Sequence, residues 1–295
     1  RIDHIDFHDS LINGNVRMLE RLCDLIKSSG MKFRWSGQAA VTEEMTYPLL
    51  LKMKLAGCVC LNYGLETGSP SLMQRIGKLL AKNADLDRIV RDTHNSGIEG
   101  IYNFMFGLPG ETEEEFQETL DFLARNKDYI DIVNPSPGFC AFDRGSYGYE
   151  HPDELGITMG VTGSLWESKD GINNYAARME KFERFLGEAR RLGIRSFYPD
   201  IRVINRDTVL GYYYFMKKEW SRAIVYLKEA VKQQPYNESN WAYFAKSSAF
   251  LGDKEKASWG FDEIIKIRLA KNDLSGAREI AVEAQGMGLV VSRCP

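Results

Sequence analysis

The chain has 295 residues, with 38 Lys and Arg against 41 Asp and Glu, a formal net charge of −3 and 44% hydrophobic residues. That apolar content is enough for a sizeable core, and the length suggests about two domains. The charge balance gives no basic footprint for nucleic acid, no apolar run approaches the ~20 residues of a membrane span, and no signal peptide is visible, so a cytoplasmic protein is expected.

Up to about residue 134 the pattern alternates strand and helix, the signature of a parallel sheet with crossover helices. A strand over residues 2–8 leads into a helix in which Val16, Leu19, Leu22, Cys23 and Ile26 recur at helical spacing, ending near Gly30. Residues 32–35 make a short strand and 46–55 a second helix, closed by Ala56-Gly57 before a strand over 58–63. A helix over 85–94 ends at Gly97, followed by a strand over 101–106. Thr112 opens the next helix, reaching to Glu115 in a capping box, with Glu111, Glu113 and Glu114 complementing the positive end of the dipole. A strand over 130–133 runs into Pro135-Ser136-Pro137-Gly138. Residues 139–171 are irregular and too long for an ordinary connector, which suggests a functional segment, and a charged helix is expected over 172–192.

The remainder reads as helical repeats. Gly211 and Ala223 are each followed 34 residues later by Ala245 and Ala257, the tetratricopeptide period, with Leu210, Tyr214, Ala230, Pro235 and Trp241 also at positions that resemble its consensus. Two copies with a capping helix over 273–285 are expected to lean on the α/β domain or a partner. The organisation read from sequence is therefore a barrel-like domain over 1–195 and repeats over 196–295, with a protein partner through residues 204–286.

Two glycine-flanked strand ends carry the functional signal: Gly64-Leu65-Glu66-Thr67-Gly68-Ser69 and Gly107-Leu108-Pro109-Gly110-Glu111. Both lie at the carboxyl edge of the predicted sheet, where barrels and open α/β sheets bind small molecules, and one ligand is expected across the two. Strand parity puts Cys58, Cys60, Asn62, Gly64 and Glu66 on one side. Gly64 leaves room beside Glu66, whose carboxylate can accept from an ammonium or from ribose hydroxyls.

These residues also resemble a family. The series Asp6-Phe7-His8-Asp9-Ser10 with Asn13-Gly14-Asn15, Trp35-Ser36-Gly37-Gln38, Ala56-Gly57-Cys58 through Ser69 to Lys78, Gly97-Ile98 through Glu111, and Pro135 to Gly138 resembles, in order, the post-cluster half of radical S-adenosylmethionine enzymes. The likeness is closest to the subgroup with a cobalamin-binding domain, and it covers residues 1 to about 140. It implies a partial (β/α) TIM-like barrel lacking its first strand, S-adenosylmethionine as ligand, and a 4Fe–4S cluster that cleaves it to a 5′-deoxyadenosyl radical for methylation or rearrangement of a small-molecule or peptide substrate. Cobalamin would come through an upstream domain. By position, Glu66 and Ser69 look like ribose and amino-acid contacts, with Gly64 and Gly68 beside them. Gly107, Pro109 and Gly110 look like an adenine floor, Asp9 like a contact near the methionine moiety, and Pro137-Gly138 like the sixth-strand end.

The sequence departs from this family in one respect that matters. The family holds its cluster on cysteines spaced C-x3-C-x2-C, whereas Cys23, Cys58, Cys60, Cys140 and Cys294 do not fit that spacing. Because the chain starts at Arg1 and is in a strand-like run by Ile5, a fragment is expected, with the cluster loop upstream and the chain alone inactive. Two other readings stand beside it. One is a non-catalytic barrel that presents the repeats to a partner. The other is a TIM-barrel metal hydrolase built on His4, Asp6 and His8.

Overall fold

The computed structural model describes residues 3–78, 85–136, 139–160, 162–198 and 205–292. The chain divides into two compact units, residues 1–201 and 202–295.

The first unit is built on a six-stranded sheet in the order β1 (His4–Phe7), β2 (Arg34–Ala39), β3 (Cys58–Glu66), β4 (Glu99–Phe104), β5 (Ile132–Pro135) and β8 (Arg195–Ser196), parallel at every pairing. Each crossover moves one strand along, the winding of a partial barrel. The crossovers are α1 (Val16–Ser29), α2 (Tyr47–Leu55), the pair α3 (Pro70–Arg75) and α4 (Leu86–Asn95), α5 (Glu113–Arg125), and α7 (Tyr175–Arg191). Local chemistry sets their ends. The Asn15 side chain accepts from the Met18 amide at 3.1 Å to start α1, and Gly30 at φ 69° stops it. The capping box at Thr112 and Glu115 forms with both bonds present.

The core between sheet and helices is aromatic. Tyr63 stacks on Tyr102 at 5.5 Å between ring centroids, and Phe104, Phe106, Phe116, Phe122, Phe182 and Phe185 are fully buried. The buried Trp35 indole donates to the Ala56 carbonyl at 2.9 Å, which fixes the end of α2 against β2.

Several boundaries differ from the sequence reading. β2 and β3 run on to Ala39 and Glu66, because the residues leading into the site stay paired with their neighbours. The sheet gains β8 at one edge, while β1 is its other edge strand. Between β5 and α7 the irregular segment holds α6 (Tyr147–Glu150) and an antiparallel pair, β6 (Ile157–Thr158) with β7 (Glu167–Ser168), over the buried Trp166.

The second unit is all helical: α8 (Arg206–Met216), α9 (Trp220–Gln233), α10 (Glu238–Phe250), α11 (Lys254–Ala270) and α12 (Leu274–Gly286), each packed on the next. The first residues of α9 and α11 are 34 apart. Small residues allow the close approach. A Cβ on Gly211 would stand 2.7 Å from Leu227, and one on Gly260 would stand 2.8 Å from Ala245. Among the described residues no helix is long and apolar enough to cross a membrane.

Candidate functional site

A cavity of about 400 Å³ opens at the carboxyl ends of β1 to β4, within the size range of small-molecule sites. Its wall is built strand by strand: Ser10 and Leu11 after β1, Gln38 to Val41 at the end of β2, Asn62 and Gly64 to Glu66 on β3, Met73, Gly77 and Lys78 beyond it, and Asn103 on β4. The loop after β1 is fixed onto the end of β2. The Asn13 amide donates to the Ala40 carbonyl and its oxygen accepts from the Ala40 N–H, both at 2.8 Å, while the Ile12 N–H donates to the Gln38 carbonyl at 2.7 Å.

The polar interior comes from strand periodicity. Gln38 is opposite Asn62, and Gly64 opposite Asn103, in the parallel register. Asn103 in turn accepts from the Asn134 amide at 2.8 Å. The Asn62 Oδ1 atom is buried and has no hydrogen-bond partner among the described residues. An orphaned buried acceptor on a cavity wall needs a donor, because leaving it unpaired costs about 1–3 kcal/mol.

Glu66 is held in an uncommon backbone conformation. Its φ is 69°, the register of β3 against β4 shifts between Gly64 and Glu66, and its carbonyl accepts from the Met105 N–H at 2.9 Å. Lys78 Nζ donates to Glu66 Oε1 at 3.0 Å and to the Gly64 carbonyl at 3.1 Å. A Cβ at Gly64 would stand 3.2 Å from Glu66 Oε1 and 3.4 Å from Lys78 Nζ, so the glycine leaves room for this pair.

The other residues singled out from sequence are placed differently. Asp9 is exposed and precedes the lining residue Ser10. Gly68 and Ser69 are buried behind the cavity wall, where Thr119 Oγ1 accepts from the Gly68 N–H at 3.1 Å. The fully buried Ser69 caps α3 and bonds Ser71 and Glu118. Gly107 and Gly110, at φ 67° and 74°, do not line the cavity. The Gly107 N–H donates to Glu111 at 2.7 Å and its carbonyl accepts from Asn173 at 3.0 Å, while the Gly110 carbonyl accepts from Arg75 at 3.0 Å. Pro109 lies between them, partly buried. Pro137 and Gly138 lie outside the described residues. The structure thus brings Gly64 and Glu66 together in the cavity, with Asn103 as the β4 contribution instead of the Gly107 to Gly110 loop. Gln38 and Asn103 were missed in the sequence, although the two-residue period that marks Asn62 reaches both from neighbouring strands.

Gly68 gives a direct test of this loop's packing. Its missing Cβ would lie 2.6 Å from the Phe122 Cβ and 3.0 Å from the Thr119 Cα, so Gly68→Ala forces the strand end off α5. The expected cost is about 1–3 kcal/mol, read as a lowered midpoint in thermal unfolding.

Metal chemistry finds little support in the side chains. His4 Nε2 and Asp6 Oδ1 both bond Ser36 Oγ, at 3.0 and 2.7 Å, and His8 sits 3.6 Å from Asp6 on an exposed edge. Among the described residues no three His, Cys, Asp or Glu side chains lie close enough to hold a metal ion, which leaves the metal-hydrolase reading without a ligand set. The four described cysteines, Cys23, Cys58, Cys60 and Cys140, form no such group either. Burial pushes the Cys23 and Cys60 thiols up to about 11 and the Cys140 thiol up to about 12, with Cys58 raised further. Protonated, separated thiols among the described residues do not fit a thiolate-ligated cluster.

The cavity does fit S-adenosylmethionine in chemistry: a carboxylate, three carboxamides, an orphaned acceptor and a glycine beside the carboxylate, with Leu11, Val41, Leu65 and Met73 as apolar wall. Comparison with known proteins agrees, since residues 13–123 match the radical SAM superfamily. An uncharacterized methyltransferase of Pyrococcus horikoshii is 28% identical over 220 residues, 74% of this chain and 45% of that protein. The bacteriochlorophyllide d C-12(1)-methyltransferase of Chlorobaculum tepidum is 25% identical over 101 residues, 33% of this chain and 22% of that protein. Among solved structures, the radical S-adenosylmethionine methyltransferase TsrM of Kitasatospora setae aligns with a TM-score of 0.43 at 18% identity, over 63% of this chain and 42% of that one. The chain thus spans less than half the length of these relatives.

The radical SAM match corrects one expectation. A fragment carrying the S-adenosylmethionine-binding edge, with its cluster loop upstream, was expected, whereas the match to the superfamily begins at residue 13, inside the chain, and the sheet already starts at His4–Phe7. The accompanying expectation that the chain alone is inactive has no support in these findings.

Proposed function

We propose that the radical SAM domain binds S-adenosylmethionine in the cavity at the carboxyl edge of β1 to β4 and serves a methyltransferase-like reaction. The observation that carries the reading is the pairing of Glu66 with the orphaned Asn62 Oδ1 on one cavity wall. Both residues fall inside the span matched to the superfamily, and a relative aligned over 74% of this chain is named as an uncharacterized methyltransferase. S-adenosylmethionine, when bound, supplies an activated methyl group and a 5′-deoxyadenosyl group. The chain's own residues bind and orient it. Glu66 accepts hydrogen bonds, Asn62 accepts from an N–H or O–H of the ligand, and Leu65, Met73 and Val41 keep water from one side. Residues 205–292, with their 34-residue offset between α9 and α11, are read as a tetratricopeptide-like surface for a protein partner.

Calorimetric titration of the 295-residue chain with S-adenosylmethionine tests the reading. Binding is expected in the wild type, and Glu66→Ala is expected to weaken it at least about tenfold, the loss of one charge-assisted interaction. No binding by the wild type, or equal affinity in the variant, would overturn it.

A further inference from the structure

We infer that the amino edge of the sheet, opposite the cavity described above, carries a second binding site, for a phosphorylated small molecule with an apolar body. A cavity of about 450 Å³ lies there. It is lined by the residue before β1, by the link from α1 into β2 and by the end of α2 with its link into β3, so three strands begin at its wall. A glycine keeps that wall compact. Gly57 sits at φ 96° and a Cβ on it would stand 2.3 Å from the Phe33 carbonyl oxygen, while its own carbonyl accepts from the Trp35 N–H at 2.9 Å.

The charges of this cavity are one-sided. Lys27, Lys32, Arg34 and Lys54 line it against a single carboxylate, Asp3, in a chain whose net charge is −3. Asp3 stands 3.7 Å from Arg34 with both side chains mostly exposed, so it offsets little of that excess. Lys54 donates to the Gly97 carbonyl, a neutral acceptor, and Lys27 and Lys32 have no ion-pair partner among the described residues. Helix ends account for part of the arrangement, because Lys27 and Lys54 lie in the last turns of α1 and α2, where a cation complements the dipole. That account does not reach Lys32 and Arg34, which lie beyond α1. Four like charges around one cavity repel one another, and an anion with several oxygens relieves the repulsion while accepting hydrogen bonds from them. Arg34 supplies a planar fork and Lys32 a point charge, two donor types that suit phosphate. Much of the remaining lining is apolar. Phe33 is partly buried, and Met31 and Leu55 are 59% and 63% exposed, surface that the ring or hydrocarbon part of a ligand would cover.

Phenyl phosphate, which joins a dianion to an apolar ring, is the probe, and inorganic phosphate is its charged half. Each is titrated calorimetrically into the 295-residue chain at constant ionic strength. One-to-one binding of phenyl phosphate is expected, at least about tenfold tighter than inorganic phosphate because of the apolar wall. Lys32→Gln is expected to weaken it about tenfold, the loss of one charge-assisted hydrogen bond. Leu55→Ser should weaken phenyl phosphate and leave inorganic phosphate as it was. Lys228→Gln, at an exposed lysine of the second unit, should change neither. Lys32 is exposed, so its variant should keep the unliganded melting midpoint of the wild type, which separates a lost contact from a lost fold. The absence of saturable binding overturns the inference, and so do equal losses in Lys32→Gln and Lys228→Gln, which reduce the effect to overall charge. Equal affinity for the two probes overturns the apolar part of the assignment. Displacement of phenyl phosphate by S-adenosylmethionine overturns the site itself by placing the probe in the other cavity.

Discussion

Replacing Arg178 by Met is expected to lower the stability of the first unit by about 3–5 kcal/mol, the scale for disrupting a buried charged network. The guanidinium is fully buried on α7. It donates to the Ser164 carbonyl at 2.8 Å, the Trp166 carbonyl at 2.9 Å and Asn173 Oδ1 at 3.1 Å, and lies 4.1 Å from the Trp166 ring centre. A methionine keeps the apolar stem but ends short of the guanidinium's place and leaves those acceptors without a donor. Arg178 also explains why position 107 is glycine, since a Cβ there would stand 2.1 Å from the Arg178 Cγ. For a unit of this size the expected drop in thermal midpoint is roughly 10 °C, with Arg178→Lys recovering little because an ammonium cannot reproduce the planar fork. An unchanged midpoint for Arg178→Met would show that the strap over Trp166 contributes nothing to the fold.

Glu111→Ala is expected to have an effect of similar size. The carboxylate is 1% exposed, pairs with Lys181 at 2.8 Å and accepts from the Gly107 N–H at 2.7 Å, so its removal strands a partly buried ammonium and an amide together. Its pH signature is distinct. Burial pushes the Glu111 carboxyl above its ordinary value of 4.5, against the opposing pull of Lys181 and the Gly107 N–H. The folded chain therefore holds this proton more tightly than the unfolded chain, and its contribution falls as pH rises through the window just above 4.5. Glu115 has the opposite sign. Burial alone would raise it, but Arg75, the Thr112 N–H and Ser71 outweigh burial and hold its carboxyl below 4.5, so that contribution is lost as pH falls below that value. Urea unfolding across this range should show the slope above 4.5 disappear in Glu111→Gln, while the acid limb set by Glu115 stays. A slope unaltered by the substitution would assign it to another group.

How far the sequence could be read follows from the range of the interactions. Apart from the short helix α3, which the sequence reading missed, the order of strands and helices through α5 was legible because each depends on local periodicity and on ends set by nearby residues, as with Asn15, Gly30 and the Thr112 box. The added strand β8 was not, because Arg195 and Ser196 are extended only by pairing with Ile132 and Val133, far away in sequence. The same distinction runs through the site. Gly64 and Glu66 share one strand end, and parity was enough to put them together. Ser69 and the Gly107 to Gly110 loop looked equally suited to a ligand, but their polar groups are spent on α5, Arg75, Glu111 and Asn173, partners from 4 to 66 positions away. Turn chemistry alone does not reveal which acceptor a glycine-rich bend will meet.

The helices of residues 205–292 form a chain of neighbours, α8 on α9, α9 on α10, α10 on α11 and α11 on α12. Such an array melts from its ends, so deleting α12 uncovers the patch of Ile265 it shields with Ala277 and Ala281 while the inner hairpins keep their shared surfaces. Fraying there is graded rather than all-or-none, and amide exchange should run fastest at the terminal helix and slow toward α10.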